Sequence, residues 1–405
     1  MINSYTSAGE ARADLCREMT VIGVTGTHGK SSTALLLAAI LRYTGQRVGV
    51  MLCEGVELGG GEFLPFASLV PSGEAVTDAL RQIKNHGCNI AILELSSYLL
   101  QQNAHLDIPF SLVLLTDLGF AHTGKGEPHE TREDYVAAKA RLFFSKAPLA
   151  ILPAGFEDFK PHCRCLYYGS TGDVTYRNSY PCRVNGAEGI GFVLSAALDG
   201  TKAEEAACAT PVPGDFAVKN ATAAAAAALA LGIPLPLVTA ALPLALPRGR
   251  LELIAERADK RVYTDVAFTG EALSRALRAL RAVTRGRLLV LLGSVGGRAH
   301  KRRAALGLAA AAADEIYLTA DDPDGEQVED IVRDLLVGEE PYSRHFVIPD
   351  RARAIRAAVC ALQAGDTLLI LGKAFEATQL IGGKKYPFDD RAVVYTALDD
   401  LPREE

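Results

Sequence analysis

The chain has no excess of positive charge: 42 Lys and Arg stand against 48 Asp and Glu, for a formal net charge of −6. That argues against a nucleic-acid-binding surface, which carries a basic excess or stripe. The dense basic run Arg298 to Arg303 is short, sits in a loop context and reads as a local anion site. No apolar stretch approaches the roughly 18 residues a membrane span needs. The Ala-rich run 221–230 is small-sided and reads as a close-packed helix. No secretory leader is visible, because the first apolar run, Val21–Val24, enters a glycine-rich turn rather than a cleavage site. A cytoplasmic location is therefore expected, with neither nucleic acid nor membrane as a partner. Paired C-x-x-C knuckles are missing as well. Cys163 and Cys165 form a C-x-C, and Cys182 and Cys208 follow singly, so the cysteines are expected as free thiols rather than as a zinc ribbon. There is no internal repeat and no low-complexity linker.

What the chain does have is length and rhythm. Its 405 residues exceed one compact core and predict two domains. Apolar strand-like runs alternate with helical patterns, the mark of parallel α/β sheets. Val21–Val24, Ile90–Leu95 and Leu112–Thr116 read as buried strands, and Ser31–Tyr43, Arg132–Phe144 and Asn220–Leu231 as helices. Residues 147–210 read as irregular short strands and turns. Pro243, Pro247 and Gly249 interrupt the pattern, which restarts with strands at Val262–Asp265, Leu288–Leu292, Glu315–Thr319 and Thr367–Leu371. The fold class expected is α/β. A P-loop domain with a parallel sheet spans residues 1–246, and a smaller Rossmann-like domain spans 247–405.

Strand, then Gly26-Thr27-His28-Gly29-Lys30-Ser31-Ser32, then helix is a phosphate-binding arrangement. Glycines let the backbone turn its N–H groups toward phosphate, and the helix N-terminus adds partial positive charge. Lys30 reaches the outer phosphates, and a hydroxyl of Ser31 or Ser32 holds Mg²⁺. Val24 occupies the position of the first glycine in the general G-x-x-x-x-G-K-[ST] pattern.

At Gly26–Thr33 the loop GTHGKSST resembles that of the Mur ligases, and the similarity continues in order. Glu94-Leu95-Ser96-Ser97 resembles the family's E-x-S-S motif, whose Glu binds magnesium. Thr116-Asp117-Leu118 with His122 resembles the segment whose His is also a magnesium ligand. Tyr135 to Phe143 resembles the helix whose lysine is carbamylated, here Lys139. Gly214-Asp215-Phe216 with Asn220, and Arg248-Gly249-Arg250-Leu251-Glu252, resemble two further segments. In the second domain the likeness is to the tripeptide-forming branch, at Asp265 to Thr269, Gly293 to Arg298, Asp321-Asp322-Pro323, Gly372 to Glu376 and Phe388 to Arg391. The resemblance implies an ADP-forming ligase. It activates a carboxylate as an acyl phosphate with ATP, and the amine of an amino acid then attacks. It implies Lys30, Lys139 and His122 as catalytic, Ser31, Glu94, His122 and Lys139 toward Mg²⁺, and Asp265 on the ATP ribose. Arg250 is implied as a cross-domain phosphate contact.

The pattern also departs from the family. The family's N-terminal nucleotide-sugar domain is not expected, since the first strand begins at Val21. The acceptor is then a peptide or small molecule, or a partner chain stands in for that domain. Phe268 and Phe375 replace two family histidines, and Ala121 replaces an aspartate beside His122. Asp324 stands where the diaminopimelate-adding enzymes have arginine. With Asp322 and Glu376, and beside Lys373 of the G-K-x-x-E motif, it suits a cationic amino acid such as lysine or ornithine. A folylpolyglutamate-synthetase-like ligase and a weakly catalytic ATP-binding partner subunit are the other readings.

Overall fold

The run Thr20–Thr25 forms a strand, β1, inaccessible to solvent at five of its six positions, as an apolar run at the centre of a sheet must be. In this computed structural model the described residues are 12–66, 72–119, 123, 128–297, 300–337, 344–374 and 376–400. They fall into two units. One runs to Leu246, and the other from Pro247 onward together with Val212–Gly214.

The first unit is built on one mixed sheet. Its strands after β1 are β2 (Val48–Met51), β3 (Gly55–Gly59), β4 (Glu62–Pro65), β5 (Ile90–Glu94), β6 (Phe110–Leu115) and β7 (Leu149–Pro153). Then come β8 (Arg164–Gly169), β9 (Val174–Val184), β10 (Ala187–Ala196) and β11 (Glu204–Thr210). The order across the sheet is β11-β10-β9-β8-β7-β6-β1-β5-β2-β3-β4. The centre is parallel, with β1 between β5 and β6. On one face the helices Lys30–Tyr43 and Asp215–Ala230 pack together, and methyl-sized residues such as Ala221 and Ala224 let them approach closely. On the other face Val76, Leu80 and Ile83 of the helix Gly73–Asn85 join Leu142 and Phe143 of the helix Arg132–Phe143.

The parallel centre expected of this domain is present, and β3, β4, β10 and β11 extend it antiparallel at its edges. One expectation changes: 147–210 is not irregular, for β9 has 11 residues and β10 has 10. They meet in a two-residue turn at Asn185 (φ 51°) and Gly186 (φ 87°), the left-handed pair that an Asn-Gly dipeptide supplies for a hairpin.

The second unit has β12 (Glu252–Arg257), β13 (Lys260–Asp265), β14 (Leu288–Leu292), β15 (Glu315–Leu318), β16 (Arg344–Val347) and β17 (Thr367–Leu371). Their order is β12-β13-β17-β14-β15-β16, all parallel except the β12–β13 pair. β17 lies between β13 and β14, so the winding reverses there, and the carboxyl ends of these strands form the crevice where such sheets take ligands. A small hairpin, β18 (Thr378–Ile381) with β19 (Lys384–Pro387), follows. Among the described residues no helix is long and apolar enough to cross a membrane.

Of the three buried arginines in this unit, Arg261, Arg303 and Arg351, the last two brace distant segments. Arg303 was expected to face an anion, but its guanidinium is fully buried, donating to Glu326 (2.6 and 2.7 Å), Asp334 (2.9 Å) and the Val295 carbonyl (2.9 Å). It is committed to internal carboxylates and cannot serve a ligand; Arg298 lies outside the described residues. His300 completes a His300–Glu326–Asp334 group, but Arg303 already occupies its carboxylates. Arg351 forms a bidentate pair with Asp390 (2.8 and 2.7 Å), both fully buried, and caps the Ala320 and Leu371 carbonyls. Removing one partner of such a pair strands a buried charge. Arg351→Met is therefore expected to cost about 3–5 kcal/mol in denaturant unfolding, and Arg351→Met with Asp390→Leu to cost clearly less.

Candidate active site

At the carboxyl end of β1 the chain turns through Gly26 (φ 151°) and Gly29 (φ 79°) into the helix beginning at Lys30. Gly29 is that helix's N-cap and supplies no capping side chain, so the helix N-terminus presents its partial positive charge at the end of the loop. A β-carbon at Gly29 would stand 2.3 Å from Asn220 Oδ1, and one at Gly26 1.8 Å from Thr116 Oγ1. Both glycines are thus required by close approach as well as by dihedral. In Gly29→Ala the left-handed backbone alone costs about 1–2 kcal/mol. If that distortion falls on the nucleotide-bound loop, ATP affinity should drop roughly tenfold in equilibrium titration.

Asp117, just beyond β6, braces the loop from beneath. Its Oδ1 accepts the N–H groups of Thr27 and His28, both at 2.8 Å, and its Oδ2 lies 3.1 Å from His28 Nδ1. Burial pushes this carboxyl up, but hydrogen bonds from His28 and the two amides outweigh it and hold it below its ordinary range. Thr116 Oγ1 donates to the His28 carbonyl (2.6 Å), and Tyr168 donates to the carbonyls of Leu115 and Thr116. The Thr27 and His28 amides are therefore spent inside the protein.

Glu94 ends β5, the neighbour of β1, and is 2% exposed. Its Oε2 accepts from Ser31 Oγ at 2.7 Å, and its Oε1 lies 3.6 Å from Lys30 Nζ and 3.1 Å from Cys53 Sγ. The loop lysine, its hydroxyl neighbour and this carboxylate thus converge. Ser31 and Glu94 offer hard oxygen donors side by side, a set that suits Mg²⁺.

Lys139 comes from the helix Arg132–Phe143, started by a Thr131–Asp134 capping box. It is 1% exposed, donates to the Gly26 carbonyl at 2.6 Å and lies 4.6 Å from the Tyr135 ring centroid. Tyr135 in turn shares a hydrogen bond with Thr27 Oγ1 (2.8 Å). The two lysines are driven apart. Burial lowers both, but Glu94 more than compensates at Lys30, which stays above the ordinary lysine range. At Lys139 burial and the Lys30 charge prevail, holding its amine well below that range. The surroundings thus favour the charged form of Lys30 and the neutral form of Lys139. His122, expected beside them, lies outside the described residues.

A shallow cavity of about 450 Å³ opens along the same sheet edge, lined by Leu118 after β6 and by Pro153 to Asp158 at and beyond the end of β7. In the second unit a different group gathers at the carboxyl ends of β15 and β17. Lys373 is fully buried, with Nζ 2.5 Å from Asp322, 3.1 Å from Glu376 and 3.6 Å from Asp321. Burial lowers its basicity, and the three carboxylates more than restore it. Asp322 also accepts from Leu380 N, and Asp324, with φ 48°, accepts from Gly383 N, so both carboxylates anchor the β18–β19 hairpin. Asp265 Oδ2 and Oδ1 accept from Leu251 N and Ala267 N, both at 2.7 Å. Burial lifts its carboxyl above the usual range, and Arg250 opposes the shift.

Asp117 and Cys53 were missed as site residues. Asp117 sits in the Thr116-Asp117-Leu118 segment that carries part of the family resemblance, which was the available signal. Nothing local singles out Cys53.

Residues 24–228 match the Mur ligase middle domain and residues 249–374 the Mur ligase glutamate ligase domain. The UDP-N-acetylmuramoyl-L-alanyl-D-glutamate–2,6-diaminopimelate ligase of Aquifex aeolicus is 32% identical over 97% of this chain and 80% of its own length. The UDP-N-acetylmuramyl-tripeptide synthetase of Deinococcus radiodurans is 33% identical over 98% of this chain and 82% of its own. A solved structure of a UDP-N-acetylmuramoyl-L-alanyl-D-glutamate–2,6-diaminopimelate ligase superposes with TM-score 0.61 at 27% identity, covering 94% of this chain and 78% of that one. Escherichia coli FolC with DHPP and ADP shares the fold at TM-score 0.68 and 21% identity, covering 97% and 92%.

Proposed function

Because the chain belongs to the Mur ligase family and carries both its middle and its glutamate ligase domains, we propose that it joins an amino acid to a muramoyl-peptide carboxylate. The enzyme is an ATP-dependent, ADP-forming acid–amino-acid ligase. What is proposed beyond that is the acceptor, the amino acid and the role of each residue. The observation that carries the reading is the convergence of Lys30, Ser31 and Glu94 with Lys139, whose amine bonds the Gly26 carbonyl of the same loop.

Three anionic groups must meet for the acyl phosphate to form: the acceptor carboxylate, the γ-phosphoryl group and the departing diphosphate. Catalysis is then positioning plus charge neutralisation. The helix N-terminus that begins at Lys30, together with the Lys30 ammonium, holds the phosphates. Ser31 and Glu94 would hold Mg²⁺, which would supply positive charge to offset the converging anions. Lys139 is proposed to carry a carbamate that completes the ion's ligand set, with His122 as a further ligand. Asp265 and Arg250 are proposed on the nucleotide, and Asp322, Asp324, Lys373 and Glu376 around the amino acid. The three carboxylates of this last group leave an excess of negative charge over Lys373, which favours lysine or ornithine. A cytoplasmic location, where ATP is supplied, is part of the proposal.

The test is ADP and phosphate release with Mg²⁺-ATP and bicarbonate, across UDP-muramoyl-dipeptide, free muramoyl peptides and folates, each with lysine, ornithine, diaminopimelate or glutamate. Release is expected to need both a muramoyl peptide and a cationic amino acid. Release with folate and glutamate alone would transfer the chain to the folylpolyglutamate reading, and a preference for diaminopimelate would remove the assignment of Asp324. ATP binding with no release for any pair would favour a nucleotide-binding partner subunit.

A further inference from the structure

His129 precedes the helix that carries Lys139 and is 4% exposed, yet among the described residues neither ring nitrogen has a hydrogen-bond partner. A buried imidazole has one donor and one acceptor to satisfy when neutral, and folded proteins rarely leave both empty. Its surroundings bind it to the active site. The ring stands edge-on to Tyr135, with centroids 5.4 Å apart and planes at 76°. Over that same Tyr135 ring lies Lys139 Nζ, and the Tyr135 hydroxyl bonds Thr27 of the phosphate loop. The Lys139 charge acts on His129 directly, depressing its basicity after burial has already done so. His129, Tyr135 and Lys139 therefore form one group behind the loop, in which an amine and an imidazole still have capacity for a polar ligand.

Two other buried or clustered groups give no such pointer. The charges that act on buried His105 are those of Arg141 and Arg12, and the carboxylates near His300 are filled by Arg303. Of these, His129 is the one that shares an aromatic neighbour, Tyr135, with Lys139.

We propose that His129 is a positioning residue that holds the Lys139 carbamate by donating its ring N–H to a carbamate oxygen. This rests on the reading of Lys139 as carbamylated. In forming the carbamate, the Lys139 nitrogen lone pair makes an N–C bond to CO₂ and one C=O electron pair moves onto oxygen. A nitrogen-bound proton leaves to water or bicarbonate. The product keeps one N–H for the Gly26 carbonyl and gains two oxygens that share one negative charge, which supply the acceptor that the imidazole lacks. The imidazole's role is thus to fix the carbamate's orientation, and Glu94 and Ser31 complete the cation's surroundings.

The full-length protein, equilibrated with ¹³C-bicarbonate, is examined by ¹³C NMR for a carbamate resonance that disappears in Lys139→Ala. Two variants then separate hydrogen bonding from packing. His129→Phe keeps the edge-to-face ring contact but has no N–H, and His129→Gln keeps a donor without the ring. Both are checked for intact ADP affinity. The expected result is a bicarbonate half-saturation for the resonance raised at least tenfold in His129→Phe and largely restored in His129→Gln. Wild-type occupancy and bicarbonate dependence in His129→Phe would overturn the proposal while leaving Lys139 carbamylated. Absence of any resonance in the wild-type protein would instead remove the carbamate reading itself, and this assignment with it.

Discussion

Lys139→Ala is expected to lower the rate of ADP release by at least about 10²–10³, the range seen when one preorganised charge-stabilising group is lost. The residue touches no solvent, and its amine sits 2.6 Å from the carbonyl of the loop's first glycine. If its role is to present a carbamate, small carboxylates such as formate should recover part of the rate, because they restore the missing oxygens to the vacated space. Lysine should show a third property that alanine lacks. Carbamylation needs the unprotonated amine, and burial with the nearby Lys30 charge makes that form accessible well below the ordinary lysine range. At limiting bicarbonate the wild-type rate should therefore rise with pH through that depressed value. A rate independent of bicarbonate at every pH would rule out the carbamate.

The same residue carries a stability cost. A folded-state amine depressed below its unfolded value means that the unfolded chain binds more protons, so stability rises with pH across that interval. The charged form is penalised most at low pH, and the penalty fades as pH climbs toward the ordinary lysine value of 10.5. Without bicarbonate, Lys139→Met should thus be more stable than wild type by about 1–2 kcal/mol near neutrality, in the manner of substitutions that relax a functional site. The gain should shrink as pH rises. A gain that grows with pH would mean that the depressed amine is not its source.

Lys30→Met is the second large effect, with ADP release expected to fall by about 10²–10⁴. Unlike Lys139, Lys30 is held as a cation by Glu94 3.6 Å away, so no pH in the physiological range should switch it off. Lys30→Arg should not rescue. The side chain is 16% exposed, hemmed between Glu94 and the Thr27 carbonyl, and a planar guanidinium cannot take the place of a compact ammonium there. Binding of ATP should weaken less than the rate falls, because the loop amides still hold the phosphates while the charge that develops in transfer goes unmatched. An equal loss in affinity and rate would reduce Lys30 to a ground-state contact.

Much of the molecule was legible from local pattern. β14 and β17 were read with their observed bounds, since a fully buried strand in a parallel sheet is a short continuous apolar run. The phosphate loop was legible because glycine spacing and a following helix are local requirements. The β9–β10 hairpin was missed although Asn185-Gly186 announced it, because the flanking strands are long and their outward faces polar. Arg303 misled in the opposite direction. A basic run looks like a ligand site until the fold brings Glu326 and Asp334 to it from beyond the next strand.

The chain's own order of residues determined the α/β rhythm, the two glycines of the loop and the family to which the motifs belong. These depend on backbone dihedrals, hydrophobic period and spacing along one strand or helix. The tertiary structure decided which ionisable groups act together. Lys139 is unremarkable in its helix and acquires a depressed amine only because that helix packs it against Gly26 and near Lys30, more than a hundred residues earlier. Cys53, Asp117 and Glu94 reach the loop from three separate segments. Desolvation and charge coupling depend on distance and burial, and neither is written in the neighbours of a residue along the chain.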